Sequence, residues 1–277
     1  MTRMRAFSLT TLAMLAFAGN SILGRLALKT TQIDAASFTS IRLASGAIML
    51  WLIVLSSRKK VTIRGNWFSA LALFAYAGMF SFAYISLPTG IGALLLFGAV
   101  QATMISFGLW QGERFTTLQL FGFACAIAGL MVLMMPGIST PPLQGALLML
   151  GAGVAWGVYS LRGKGAVDPI GVTAGNFIRG AVFALCLSLL MLNPVSLDRP
   201  GIMYAVLSGA LTSGIGYTIW YTALPGLKAT QAATVQLSVP VIAALGGVLL
   251  LNEALTLRLV LGSIAILGGI VLVIRKH

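Results

Sequence analysis

Apolar residues run along this chain in ten long stretches: 7–28, 35–55, 66–87, 90–109, 117–135, 144–161, 171–192, 201–222, 230–250 and 257–274. The hydrocarbon core of a bilayer is about 30 Å thick and is crossed by about 20 mostly apolar helical residues, so each stretch predicts one spanning helix. The breaks between them, among them "SSRKK", "LPTG", "QGER", "PGISTPP", "RGKGAVDP" and "NEALT", are charged or rich in proline and glycine. Connections this short leave no room for a soluble domain. The opening "MTRMRAFSLTTLAMLAFAGN" has the basic start, apolar middle and Ala16-Phe17-Ala18 triplet of a signal peptide. Its apolar run continues through Leu28, long enough to span, so it reads as the first helix.

The breaks repeat. "YISLPTG" (84–90) is echoed by "YTALPGL" (221–227). Arg162 and Arg25, Arg179 and Arg42, Tyr221 and Tyr84, and Pro225 and Pro88 each differ by 137 positions. "GERFT" (112–116) answers "NEALT" (252–256), and Gly122 with Gly129 answers Gly262 with Gly269, at an offset of 140. A shared offset argues for duplication. Two five-helix repeats are expected, 1–136 and 137–277, forming one transport domain. Five is odd, so the second repeat enters the membrane from the opposite side. Such inverted-topology repeats are typical of secondary transporters that alternate a midplane site between two faces.

Composition agrees with a membrane setting: 58% of the 277 residues are hydrophobic and 8% charged, with a mean hydropathy of +0.99. The net charge of +13 does not point to nucleic acid, because the basic residues sit between apolar stretches rather than along one polar face. With a cytoplasmic N-terminus, the inner side collects Arg3, Arg5, Arg58, Lys59, Lys60, Arg64, Arg114, Arg162, Lys164, Lys228, Arg275 and Lys276. The outer side collects Arg25, Lys29, Arg199 and Arg258. Twelve against four places both termini inside. Cys125 and Cys186 fall in apolar runs without metal-ligand spacing, and the single histidine is the terminal His277. Histidine-based catalysis is thereby excluded, no cofactor or metal is implied, and the absence of GxxxxGK[ST] excludes ATP as the fuel.

Three segments, "WGVYSLRGKGAVDPIGVTAGNFIRG" (156–180), "YTALPGLKATQAATVQLSVPVIAALGGVLLLNEALT" (221–256) and "LGSIAILGGIVLV" (261–273), with their first-half partners "AGNSILGRLAL", "SIRLASG" and "GERFTTLQLFGFACAIAGLMVL", resemble the drug/metabolite transporter superfamily. Within it the chain resembles the ten-helix EamA-type exporters, and is similar in general look to amino-acid exporters of the YddG type. The resemblance implies an all-α integral membrane protein in which helices 1–4 and 6–9 form a basket around a central cavity, with helices 5 and 10 at the periphery. It further implies export of small metabolites across a bacterial inner membrane. The chain departs from the pattern where Phe17 or Ala18 replaces a usual tryptophan, and where helix 4 lacks a counterpart to Pro240.

Candidate substrate contacts follow from side chains that are costly inside a bilayer. Arg42 and Arg179 are intramembrane charges, read either as anchors for a substrate carboxylate or as structural fittings that satisfy carbonyls. Tyr76, Phe80 and Tyr84 share one face of helix 3; Ser213, Tyr217 and Tyr221, with Trp220 beside them, match them in helix 8. Such a stripe can line a cavity for apolar or aromatic side chains, or form an interfacial belt at Tyr84 and Tyr221. Asn20, Gln101, Asn176, Thr234 and Gln236, with Trp156 and Tyr159, offer polar groups to a zwitterion, or hydrogen bonds between helices. Pro88, Pro225 and Pro240 are hinge or gate candidates.

Arg25 and Arg162 are expected to snorkel to the interface. Thr116 and Thr256 are expected to cap helices 5 and 10, with Glu113 and Glu253 supporting those turns. The glycine strips of helices 5 and 10 are expected to seat them against the basket. No Asp or Glu lies in a helix core, so uniport or exchange is expected rather than carboxylate-gated proton antiport. The expected function is export of amino acids, including aromatic or hydrophobic ones, by alternating access in a monomer embedded in lipid. The alternatives are drugs or other metabolites on the same fold, a non-transporting membrane protein, or a membrane enzyme.

Overall fold

In a bilayer core no water is present to take up backbone N–H and C=O groups, so an apolar stretch must satisfy its own backbone as helix. The computed structural model describes residues 3–57, 61–112, 116–134, 141–163, 166–191, 195–223 and 235–274. Among them ten helices succeed one another: α1 (Arg3–Thr30), α2 (Ala35–Ser56), α3 (Trp67–Tyr84), α4 (Thr89–Trp110), α5 (Thr117–Met134), α6 (Leu143–Gly163), α7 (Pro169–Leu190), α8 (Arg199–Ala223), α9 (Ser238–Leu251) and α10 (Leu257–Ile274). Seven are long and apolar enough to cross a membrane; α5, α9 and α10 carry shorter apolar stretches. The bounds lie close to those predicted, except that the predicted start of α9 at 230 falls outside the described residues, as do Glu113, Pro225 and Thr234.

The polar breaks set the helix starts. Asp34, Asn66 and Asp168 accept hydrogen bonds from the backbone N–H groups of Ser37 (2.8 Å), Ser69 (2.8 Å) and Gly171 (3.0 Å), capping α2, α3 and α7. Thr116 and Gln119 bond each other's backbone N–H reciprocally at the start of α5. Thr256 accepts from the Leu259 N–H at the start of α10. Both threonine caps are as expected. Asn252, at φ 51°, closes the C-terminus of α9 in the left-handed region that asparagine tolerates. Pro240 lies in the first turn of α9, where a missing N–H costs no intrahelical bond.

Packing pairs the first five helices with the second five. α2 packs on α7, α4 on α9 and α5 on α10. α1 packs on α8 and α9, as α6 packs on α3 and α4, and α2 meets α8 as α7 meets α3. Exchanging α1–α5 for α6–α10 maps each of these pairs onto another or onto itself. The two aspartate caps obey the same exchange. The Asp34 carboxylate also accepts from the Ser196 N–H (3.0 Å), tying the α1–α2 turn to the α7–α8 turn. The Asp168 carboxylate accepts from the Thr62 N–H (3.3 Å), tying the α6–α7 turn to the α2–α3 turn.

Close approach is bought with small residues. A Cβ on Gly269 of α10 would strike the Gly122 carbonyl of α5, and one on Gly129 of α5 would lie 2.7 Å from the Ala265 Cβ of α10. The two glycine strips therefore face each other, not the basket, which corrects the expected seating. Polarity is arranged inside out. Trp51, Leu55, Phe121, Leu185, Leu249 and Ile264 are exposed on the outside, while Asn20, Ser81, Thr89, Gln101, Asn176, Ser208 and Thr212 are buried. An outer surface of this kind suits lipid rather than water.

Candidate functional site

Trp156 of α6 sits where the halves meet. Its ring centroid lies 4.9 Å from that of Tyr76 (α3), 5.1 Å from Tyr217 (α8) and 5.4 Å from Tyr159, one turn along its own helix. Phe17 of α1 adds edge contacts to Tyr217 at 5.8 Å and to Trp220 at 5.9 Å. Phe17, Asn20, Tyr76, Trp156, Thr212 and Tyr217 line a small cavity of about 20 Å³. That volume holds about one water molecule. The rings and polar groups are thus assembled around a space too small for an amino acid.

Asn20 is the polar centre of this space. Its amide oxygen accepts from Ser208 Oγ (2.6 Å) and Thr212 Oγ1 (3.3 Å), and its amide nitrogen donates to the Tyr76 hydroxyl at 3.1 Å. The two hydroxyls come from Leu207–Ile215, a π-helical segment within α8. Wider winding of this kind recurs where a helix is shaped for function. Gly209 in the same segment lets α8 reach α2, since a Cβ there would strike the Arg42 carbonyl and the Ser45 hydroxyl.

Arg42 is 1% exposed. Its Nη2 donates to the Tyr76 hydroxyl at 2.9 Å, and its guanidinium carbon lies 4.7 Å from the Phe80 ring centroid and 5.1 Å from that of Tyr76. Nε and Nη1 are buried with no hydrogen-bond partner. Arg179, its repeat counterpart, is only half-buried; it donates to the Gly175 carbonyl of its own helix at 2.9 Å and lies over Trp67. Two residues that read alike in the sequence therefore differ in kind.

The two ends of the bundle hold the rest. At one end, Arg25 donates through Nη1 to the Tyr84 and Ile85 carbonyls (2.8 and 2.9 Å) and through Nε to Glu253 at 3.3 Å. Glu253 also accepts from the Thr89 N–H at 2.7 Å. Arg25 is 7% exposed, so it does not snorkel. Glu253 caps α4 across the repeat boundary instead of supporting its own turn. Pro88 precedes α4 and, with Lys29, Ser86, Pro142 and Asn252, lines a crevice of about 400 Å³ at this end. At the other end, Arg162 donates to Ser69 Oγ (3.0 Å) and Asn66 Oδ1 (3.3 Å), clamping α6 to α3. Tyr159, Asn176 and Tyr221 line a cavity of about 30 Å³ there.

Of the predicted residues, the structure gathers Asn20, Tyr76, Trp156 and Tyr217 at the centre. Phe80 and Tyr84 are fully buried and continue the ring series away from it, at 5.7 and 4.6 Å centroid spacing. The tyrosine hydroxyl of Tyr84 donates to the Thr89 carbonyl, which makes it neither belt nor cavity wall. Ser213 is spent on the Ser208 carbonyl, and Asn176 accepts from the Asn66 N–H. Gln101, buried on α4, and Gln236, half-buried ahead of α9, do not line these cavities. Sequence reasoning missed Ser208 and Thr212 as partners of Asn20; two hydroxyls one turn apart, beside Ser213, were the available signal. A larger groove of about 470 Å³ between α4, α5, α6 and α10 is apolar apart from Thr103 and Ser106. It offers the charged ends of an amino acid nothing to bind.

Ten apolar helices with an apolar exterior and an aromatic and polar centre define a multi-pass membrane protein. A model of the EamA-like transporter family matches residues 143–275. An uncharacterized protein from Pseudomonas aeruginosa is 57% identical over 91% of this chain and 88% of that one. The threonine/homoserine exporter RhtA of Salmonella typhimurium is 28% identical over 80% of this chain and 76% of that one. A solved crystal structure, 20% identical, superposes with a TM-score of 0.70 over 98% of this chain and 96% of that one. The chain belongs to the EamA-like transporter family.

Proposed function

We propose that the protein exports amino acids, including aromatic or hydrophobic ones, from the cytoplasm of a bacterial cell. The carrying observation is the convergence of Asn20, Tyr76, Trp156 and Tyr217, drawn from both halves, on one small space at the bundle centre. Aromatic rings supply area and stacking for an apolar side chain, and the amide and hydroxyls supply directional polar contacts. The likeness to a threonine/homoserine exporter supports the same class of cargo. The two repeats, 1–136 and 137–277, act as one inverted pair within a monomer, with both termini cytoplasmic and the inner membrane as setting. Exchanged packing partners and the matched Asp34 and Asp168 contacts at opposite ends support that arrangement.

Alternating access on this reading loosens one end of the bundle while the other stays clamped. Among the described residues the carboxylates of Asp34, Asp168, Asp198 and Glu253 lie in turns, not in helix cores, which favours uniport or exchange. The test is uptake of a panel of radiolabelled amino acids into proteoliposomes. Protein-dependent flux of at least one is expected. Flux confined to drugs or other metabolites would move the cargo to the alternative class, and no flux of any solute would sink the transport reading.

A further inference from the structure

Buried guanidinium groups usually have their N–H donors satisfied, because a desolvated unpaired donor is costly. Arg42 breaks that rule twice, at Nε and at Nη1. The rings of Phe80 and Tyr76 stabilise its charge from their faces, yet they accept none of those hydrogens in the plane of the fork. No carboxylate is at hand: Asp34, Asp168, Asp198 and Glu253 all lie in turns, and Glu113 lies outside the described residues.

The neighbouring polar groups deepen the imbalance. Ser208 donates to Asn20, Thr212 shares its proton between the Ser208 carbonyl (2.7 Å) and Asn20 (3.3 Å), Asn20 donates to the Tyr76 oxygen, and Arg42 donates to the same oxygen. A tyrosine hydroxyl accepts about two hydrogen bonds and donates one. With both acceptor positions filled, the Tyr76 proton is left to donate, and it finds no acceptor among the described residues. Arg42 does not itself line the central cavity, but its two spare donors stand directly behind Tyr76, which does.

We infer that Arg42 and Tyr76 together form an anion receptor for the substrate carboxylate, with the α-ammonium resting on the faces of Trp156 and Tyr217. This rests on the amino-acid reading for the identity of the natural ligand. Nε and Nη1 lie on different edges of the guanidinium, so a carboxylate takes parallel bonds from one of them and from the second hydrogen of Nη2, with a third from the Tyr76 hydroxyl. Held only by ring faces, the ammonium is the weaker handle. Arg179, bonded to its own helix, has no part in this site. The substrate class is therefore a monocarboxylate with an apolar or aromatic body, for which the amino group helps but is not required.

The experiment titrates purified protein with phenylacetate and with phenylacetamide, which share a ring and differ in the anionic group, and follows thermal unfolding. Phenylacetate is expected to bind about tenfold or more tightly than the amide, and Arg42→Gln is expected to abolish that difference. Arg42→Lys, which keeps the charge and loses the fork, should weaken phenylacetate and leave phenylacetamide unchanged; it serves alone if the glutamine variant does not fold. Equal shifts from acid and amide in the wild-type protein would overturn the receptor, as would folded variants that bind phenylacetate like wild type. In proteoliposomes 3-phenyllactate should compete with L-phenylalanine within about 3- to 30-fold, and phenylalaninamide should not compete. Arg42-dependent phenylacetate binding without flux of any amino acid would leave the receptor standing and remove the amino-acid reading.

Discussion

Arg25 Nε and Glu253 Oε1 stand 3.3 Å apart, with both side chains 9% exposed, although 228 positions separate them. The pair ties the last turns of α1 to the turn between α9 and α10. Through the Tyr84 and Ile85 carbonyls and the Thr89 N–H it also holds the junction of α3 and α4. The ends of five helices, α1, α3, α4, α9 and α10, are thus fastened together by two side chains.

Removing one partner from a buried ion pair costs about 3–5 kcal/mol. Glu253→Ala should lower unfolding stability in detergent by about that amount, and Glu253→Gln by less, because its amide oxygen still accepts from the Thr89 N–H. A cysteine placed at Ser86, which lines the crevice at this end, should react faster with a bulky thiol reagent when Glu253 is alanine. Equal reaction rates would show that the pair does not hold this end closed.

The aromatic series divides into wall and support. Trp156→Phe keeps a ring but reshapes the cavity, so transport should fall while unfolding changes little. Phe80 is fully buried, and its ring lies 2.8 Å from where a Cβ on Gly24 would stand. Phe80→Ala should therefore cost about 3–5 kcal/mol of stability. Parallel flux and denaturation measurements check the division, and a reversal of the two phenotypes would refute it.

Gly209 is where α8 touches the backbone of α2 at Arg42. Gly209→Val adds bulk against a carbonyl that cannot move aside without displacing the helix. Overpacking of a tight contact costs about 1–3 kcal/mol. The expected result is lower thermal stability together with weaker carboxylate binding at Arg42, followed by the phenylacetate titration.

Asp34 supplies a pH dependence. Burial raises its carboxyl pKa, but hydrogen bonds from Ser37, Ser196 and Ala36 outweigh that and hold it below the ordinary value of 3.8. A depressed pKa contributes stability that is present at neutral pH and lost as pH falls through the folded value. Asp34→Ala should destabilise by about 1 kcal/mol at pH 7, and the gap to wild type should close in acid. A gap that stays constant between pH 7 and pH 3 would contradict this role.

Helix positions were legible because lipid imposes a simple rule, apolar for about 20 residues and then a polar break. The repeat was legible in the same way, through Arg25 with Arg162 and Tyr84 with Tyr221. Matching positions do not, however, carry matching contacts. Arg42 and Arg179 share an offset, but Arg42 meets Tyr76 and Phe80 whereas Arg179 meets its own Gly175 carbonyl. Arg25 looked like a snorkelling side chain because its partner is remote in the sequence. The central cluster was half legible: Tyr76, Trp156 and Tyr217 stood out as rings, while Ser208 and Thr212 depend on the π-helical winding of α8, which has no local sequence period.

Counterflow is the most direct measurement. Proteoliposomes loaded with an unlabelled amino acid are placed in a trace of the same amino acid carrying radiolabel, for wild type, Trp156→Phe and Arg42→Gln. Transient accumulation of label by wild type, reduced in Trp156→Phe and absent in Arg42→Gln, is the predicted result. No accumulation by wild type for any amino acid, or equal accumulation by all three proteins, would contradict export through this central site.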